Sequence, residues 1–252
     1  MQILVRPTSS RLADGEVTHI DRTPVDIDLA RRQWEAYVAI LAGNGFEPIP
    51  LPLTDDLPDS VFIEDAVVVF GDLAVVTRPG AESRKPETSS ARAAVEALGL
   101  EVAEIQAPGT LDGGDVLKVG STAYVGHGGR TNADGIAQLR AMLEPRGWRV
   151  EAVPMTKALH LKSAITALPD GTVIGWAPFV DDPSRFDRFL AVPEPEGAAV
   201  VVLDAHSVLM SSSAPRTAEL LAGRGLRVVT ADVSEFEKLE GCVTCLSVRV
   251  RT

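Results

Sequence analysis

The sequence is poor in cysteine and short of positive charge. It carries two cysteines, Cys242 and Cys245, too few for a disulfide framework, so both are better judged as chemistry than as staples. Lys and Arg number 24 against 35 Asp and Glu, a formal net charge of −11, whereas a nucleic-acid partner calls for a cationic surplus that releases counterions from phosphate. No apolar run reaches the roughly 18 to 20 residues of a membrane-spanning helix. Met1–Arg6 lacks the basic start and apolar core of a signal peptide. A cytoplasmic home, with neither nucleic acid nor membrane as partner, is the expectation. A glycine-rich phosphate loop is also missing, which argues against a plain doubly wound sheet. There is no second C-x-x-C and no H-x-x-x-H, which argues against a four-ligand structural zinc.

What is present suits a soluble globular chain: 45% hydrophobic and 23% charged residues over a length of 252, enough for a sizeable core. Four segments read as strand, tight turn and strand, because alternating β-branched residues flank short polar turns: Val67–Thr77, Val116–Gly126, Ala164–Trp176 and Val201–Ser211. The first, second and fourth are followed by helical patterns, about Glu87–Leu98, Asn132–Leu143 and Pro215–Gly223, and then by strands Glu101–Ile105, Arg149–Val153 and Leu226–Thr230. In the third, the helix shrinks to about Pro183–Leu190 within a proline-rich stretch. The two ends supply the remaining unit. Leu246–Val250 and Gln2–Arg6 are strands, followed by an amphipathic helix over Asp26–Ala42, with Trp34, Tyr37, Val38 and Leu41 on its apolar side, and a strand at Phe46–Leu51. A strand-strand-helix-strand unit recurring every ~40 to 50 residues is a repeat signature. The pattern predicts a five-fold α/β propeller of ββαβ units closed through the termini, one domain over residues 1–252. In such a ring, loops from every unit converge on one channel.

Several clusters could carry chemistry. Asp59-Ser60-Val61-Phe62-Ile63-Glu64-Asp65 places three carboxylates around apolar residues, where they either face solvent or pair with a cation; a guanidinium, with forked planar donors, is their natural guest. Asp112-Gly113-Gly114-Asp115 sets two acids at a strand mouth, with glycines that admit a close approach; too few oxygen ligands alternate there for a calcium loop. His160, in Leu159-His160-Leu161-Lys162-Ser163, enters an apolar strand, where a histidine is more often a satisfied core residue than a catalyst. Cys242 reads as a small buried hydrophobe. A redox couple with Cys245 lacks the usual strand-then-helix context, since a strand follows. Cys245, His160 and Asp112 nonetheless supply the three parts of a thiol nucleophile, a proton carrier and a carboxylate that orients it. Arg78, Arg84 and Arg130 are surface arginines unless two of them meet in the channel and clamp a carboxylate.

In their order along nearly the whole chain, these motifs resemble the dimethylarginine dimethylaminohydrolases of the guanidino-group modifying superfamily. The resemblance rests on the Arg6 strand, Asp59 to Asp65, Thr77-Arg78-Pro79-Gly80 to Arg84, Leu111 to Asp115, Arg130-Thr131-Asn132, Leu159 to Ser163 and Thr244-Cys245-Leu246-Ser247. It implies the same five-fold propeller as a single catalytic domain, and hydrolysis of methylated free L-arginine to citrulline through a covalent cysteine intermediate. No metal or organic cofactor is implied, the partner is that small-molecule substrate, and a homodimer is compatible with it. It assigns Cys245 as nucleophile, His160 as proton donor and acceptor, and Asp112 as the carboxylate beside the histidine and the guanidinium. Asp65 with Glu64 would hold the guanidinium, and Asp59 the α-amino group. Arg84 and Arg130 would hold the α-carboxylate, with Arg78 as the alternative. The main chain at Leu239 would add a carbonyl contact and a lid near Val17 would close over the substrate.

Overall fold

The computed structural model describes residues 1–250. Its fifteen strands form five three-stranded sheets with one repeated topology. In the first complete unit, β3 (Val67–Phe70) runs antiparallel to β4 (Leu73–Val76), which after helix α2 (Thr88–Ala97) runs parallel to β5 (Glu101–Glu104). The same order recurs in β6 (Val116–Val119), β7 (Thr122–His127), α3 (Ala133–Leu143) and β8 (Arg149–Pro154). It recurs again in β12 (Val200–Asp204), β13 (Ser207–Ser211), α5 (Pro215–Gly223) and β14 (Arg227–Ala231).

The ring closes through the ends of the chain. β15 (Ser247–Val250) pairs antiparallel with β1 (Gln2–Val5), which pairs parallel with β2 (Glu47–Pro50) after α1 (Ile27–Gly43). Asp26 caps α1 by accepting from Leu29 N at 2.9 Å, and the helix buries Ala30, Tyr37 and Leu41 while Trp34 and Val38 lie half-buried beside them. Four units end their helix on a glycine with left-handed backbone, Gly45, Gly99, Gly147 and Gly225 at φ 86, 74, 81 and 88°. A side chain at such a position would be strained.

The third unit has no such glycine because it has no such helix. Residues Pro183–Arg185 form a short 3-10 turn, Phe189–Ala191 is strand β11, and it pairs parallel with β10 (Val173–Gly175), itself antiparallel to β9 (Ile165–Ala167). The expected Pro183–Leu190 helix is therefore corrected: Phe186 and Phe189 pack on the core beside β9 and β10, and Phe189–Ala191 is taken up by parallel pairing with β10. His160 likewise precedes not a strand but a single helical turn, α4 (Leu161–Ala164).

Apolar side chains fill each of the five seams between neighbouring sheets. Leu4 and Val248 meet Val67 and Val69, Val68 and Val75 meet Val116 and Val125, and Leu117 and Val153 meet Ile165 and Val173. Ile174 meets Val200 and Val208, and Ile3 closes the ring against Val201 and Leu209. Burying the alternate faces of short β-branched strands in this way is what holds five small sheets together, since none could stand alone.

The first strand of every unit lines a central funnel of about 430 Å³, with Phe70, Val119, Thr166, Val202 and Arg249 among its wall residues. Across its floor, Lys162 Nζ pairs with Glu64 Oε1 at 2.6 Å and Thr244 Oγ1 donates to Glu64 Oε2 at 2.9 Å. The cavity that gathers Cys245 and His160 shares none of these floor residues.

Candidate active site

That second cavity is small and polar. Asp59, Asp65, Arg84, Arg130, His160 and Cys245 line it, with Glu16 and Leu239–Gly241 at the remaining side. It holds about 20 Å³, room for roughly one water.

His160 stands between two carboxylates. Its Nε2 lies 3.0 Å from Asp112 Oδ2 and its Nδ1 lies 3.8 Å from Asp65 Oδ1. Burial works against the charged imidazolium, but Asp65, the Asp112 hydrogen bond and Asp115 outweigh it, and the pKa is raised to about 9. Both ring nitrogens thus hold protons at neutral pH.

Each acid is itself anchored. Asp112 is fully buried and takes Gly80 N–H on Oδ1 at 2.8 Å, while its own N–H donates to Thr131 Oγ1 at 3.1 Å. Thr131 Oγ1 donates to Asp115 Oδ2 at 2.6 Å, and Asp115 Oδ1 accepts from Leu161 N at 3.0 Å, fixing the turn that follows His160. Burial raises the Asp115 carboxyl to about 6 despite these bonds. Asp65 accepts from Gly114 N on Oδ1 at 2.8 Å and from Arg84 Nη1 on Oδ2 at 2.6 Å. Burial alone would raise its pKa; the charges of His160 and Arg84 reverse the direction and hold it well below the ordinary carboxylate range.

Cys245 sits two residues before β15, and its main-chain N–H donates to Cys242 O at 3.1 Å in a turn that folds the two sulfurs to within 3.2 Å. The Cys242 N–H reaches Cys245 Sγ at 3.4 Å. The hydrogen bond with Cys242, burial and the negative charges of Glu64 and Asp65 push the Cys245 thiol well above its usual pKa. Cys242 is therefore not a plain core residue: it is half-buried, with its sulfur against the neighbouring thiol.

Asp59 and Arg130 lie beyond these groups, under the loop that carries Glu16. Burial raises the Asp59 carboxyl, which accepts from Glu16 N at 3.0 Å. Arg130 Nη2 pairs with Glu16 Oε2 at 2.9 Å.

Comparison with known proteins agrees with this geometry. No family model matches the chain. It is 61% identical over 248 residues, 98% of this chain and 96% of the other, to the N(G),N(G)-dimethylarginine dimethylaminohydrolase of Streptomyces coelicolor. It is 36% identical over 251 residues, 98% of each, to the enzyme of that name from Pseudomonas aeruginosa. The chain belongs to the dimethylarginine dimethylaminohydrolase family. Solved structures agree: a cysteine-to-serine variant of the P. aeruginosa protein complexed with citrulline superposes with a TM-score of 0.91 at 35% identity, covering 98% of both chains. An adduct of a dimethylarginine dimethylaminohydrolase with S-methyl-L-thiocitrulline gives 0.92 at the same identity and coverage.

Against the dimethylarginine dimethylaminohydrolase pattern, four residues sit differently from the sequence expectation. The Glu64 side chain turns to the funnel floor rather than into the cavity. Arg84 lines the cavity, but its Nε and Nη2 reach the Glu87 carboxylate at 3.0 and 2.8 Å, Nη1 holds Asp65, and Nη2 also donates to the Asp59 and Phe62 carbonyls. One Nη1 hydrogen is left over. Arg78 is directed to Gly109 O at 3.1 Å and does not line the cavity. Val17 packs on the apolar core, and its neighbour Glu16 faces the cavity instead.

Glu16 and Glu87 carry parts of this arrangement that the sequence did not single out, and Asp115 and Thr131, named there only within their motifs, gain a role as the links that fix Asp112 and the turn after His160. Arg84 and Glu87 stand three apart, a spacing that signals a helical ion pair. Glu16 left no comparable signal. Asp65, Asp112 and His160 place donor atoms within 4.8 Å of one another, but Gly114, Arg84 and Gly80 already engage both acids, and an imidazolium opposes a metal cation.

Proposed function

We infer that this chain hydrolyses Nω,Nω-dimethyl-L-arginine, and the monomethyl compound, to L-citrulline with release of dimethylamine or methylamine. The observation that carries this reading is the convergence of Cys245, His160 and Asp65 on one acidic cavity in a chain of that family.

The acids draw in a cation. Asp65, held ionised, faces the substrate guanidinium and fixes its plane, and the Leu239 main chain adds an acceptor. Asp59 takes the α-ammonium and Arg130 the α-carboxylate. Arg84 serves by keeping Asp65 charged and in place. Cys245 is neutral in the resting site, and the arriving cation lowers its pKa so that the thiol proton is released to solvent as substrate binds. The thiolate then attacks the guanidinium carbon, forming a C–S bond. His160, steadied by Asp112, protonates the methylated nitrogen, the C–N bond breaks, and the amine leaves. An S-alkylthiouronium remains on Cys245. Now neutral, His160 accepts a proton from water, whose oxygen attacks the same carbon; the C–S bond breaks, the remaining hydroxyl proton passes to the departing sulfur, and citrulline is released. The Cys242 N–H supports the sulfur whenever it carries negative charge.

Two free thiols and the lack, among the described residues, of any helix long and apolar enough to cross a membrane support a reducing, cytoplasmic setting. The test is to incubate the purified chain with asymmetric dimethylarginine and to assay citrulline, with unmodified arginine in parallel. Citrulline from the methylated substrate, abolished in Cys245→Ser, is the expected result. Turnover of arginine alone would shift the reading to a deiminase.

A further inference from the structure

The end of the cavity assigned above to the substrate head group is already occupied by the protein. Glu16 donates its main-chain N–H to Asp59 Oδ2 at 3.0 Å and lays its carboxylate on Arg130 Nη2 at 2.9 Å. Ser83 Oγ donates to the other Glu16 oxygen. One residue thus offers an N–H to the acid and a carboxylate to the arginine, the same pair of charges that a free amino acid would bring. We propose that Glu16 is a built-in competitor: it stands in for the amino-acid head group while the site is unliganded, every ligand must displace it to enter, and only one carrying both an ammonium and a carboxylate replaces both of its contacts. The proposal rests on the reading of Asp59 and Arg130 given above.

The loop is built to sit there. Gly15 approaches so closely that a Cβ on it would lie 2.6 Å from Asp59 Oδ1. On the far side, Glu240, itself at a left-handed φ of 60°, accepts from Thr18 N and His19 N at 2.5 and 2.9 Å. With the loop down, the cavity of about 20 Å³ cannot admit an arginine, so the Glu16 contacts must break for substrate to enter. They are breakable: the Glu16 side chain is 40% exposed, and an ion pair in that setting contributes little net stability.

Arg84 is neutralised by Asp65 and Glu87, which leaves Arg130 as the cation for which the two carboxylates compete. A ligand with both charges replaces each contact it breaks. One without a carboxylate leaves Arg130 unpaired, and the apparent affinity of both kinds of ligand is reduced by the same small open fraction.

The experiment is steady-state kinetics of Glu16→Gln and Glu16→Ala on monomethyl-L-arginine and on methylagmatine, its counterpart without the carboxylate. The expected result is a KM several-fold lower for the amino acid, with the change in KM rather than kcat, and a drop of similar size for methylagmatine, since both substrates must first displace the same residue. An unchanged or raised KM for the amino acid, or a drop confined to one of the two substrates, would overturn the proposal. Arg130→Ala, run alongside, separates it from the reading beneath it. That variant must raise KM for the amino acid and spare methylagmatine; if it raises neither, the head-group assignment itself fails.

Discussion

His160 carries its charge because two acids flank it, and pH is the way to read that. Its pKa, raised to about 9, lies above the ~6.5 of an unfolded histidine. The stabilisation it provides is therefore fully present below about 6.5 and lost as pH rises through about 9. The imidazolium is also the proton donor, so kcat/KM should fall on the alkaline side near pH 9. Asp112→Asn removes one partner and should bring that limb to lower pH; a limb that stays in place contradicts the pairing. At the sulfur, Cys242→Ala removes the hydrogen-bonded neighbour that holds the Cys245 thiol up, so the pH profile of Cys245 alkylation should move to lower pH. Arg84 offers a stability test. Arg84→Ala strands Asp65 and Glu87 as buried charges, a loss of about 3 to 5 kcal/mol by denaturant titration, whereas Arg130→Ala, at a partly open pair, should change KM with little effect on stability.

At the scale of elements, the site depends on short turns at strand mouths. Gly114 packs directly on the catalytic pair: a Cβ there would fall 2.8 Å from His160 Nδ1 and 2.7 Å from Asp65 Oδ1. Gly114→Ala should therefore lower kcat by ~100-fold, the scale of a misplacement of about 1 Å, with far-ultraviolet circular dichroism unchanged; a fully active variant would mean that the ring and the acid are not held by that turn. The repeat itself was legible, because hairpins, helices and strands each announce themselves by local periodicity, and helix α5 was read at both of its ends. Prolines hid the third unit, where the chain makes 3-10 turns and a strand without satisfying either period. His160 was misplaced by one element because Leu161–Ala164 is apolar enough to read as a strand start, and only the Asp115 bond to Leu161 N turns it into a helical cap. Asp65, Asp112, His160 and Cys245 could be picked out by residue type and order. Which way Glu64 and Arg84 point could not, since that is decided by Lys162, Thr244 and Glu87 arriving from other parts of the chain or the next turn.

For the whole molecule, closure is what makes the chemistry possible. Cys245 precedes the strand that pairs with β1 and seals the ring, and this sets a residue near the chain's end beside acids from the first and second complete units. The Lys162–Glu64 floor keeps the catalytic cavity apart from the wide funnel on the other side. The net charge of −11 acts over the same scale, drawing a cationic substrate toward an acidic mouth. Raising ionic strength shortens the Debye length to a few ångströms, so kcat/KM for the methylated cation should fall steadily with salt while kcat stays nearly level. A salt-independent kcat/KM would confine the attraction to direct contacts.

The account stands or falls on the sulfur of Cys245. Rapid acid quench of the enzyme during turnover of asymmetric dimethylarginine, followed by peptide mass spectrometry, reads it directly. The peptide containing Cys245 should gain the mass of the substrate less dimethylamine, and the gain should vanish in Cys245→Ser. Citrulline formed at full rate with that peptide unmodified throughout, or formed by the serine variant, would contradict it.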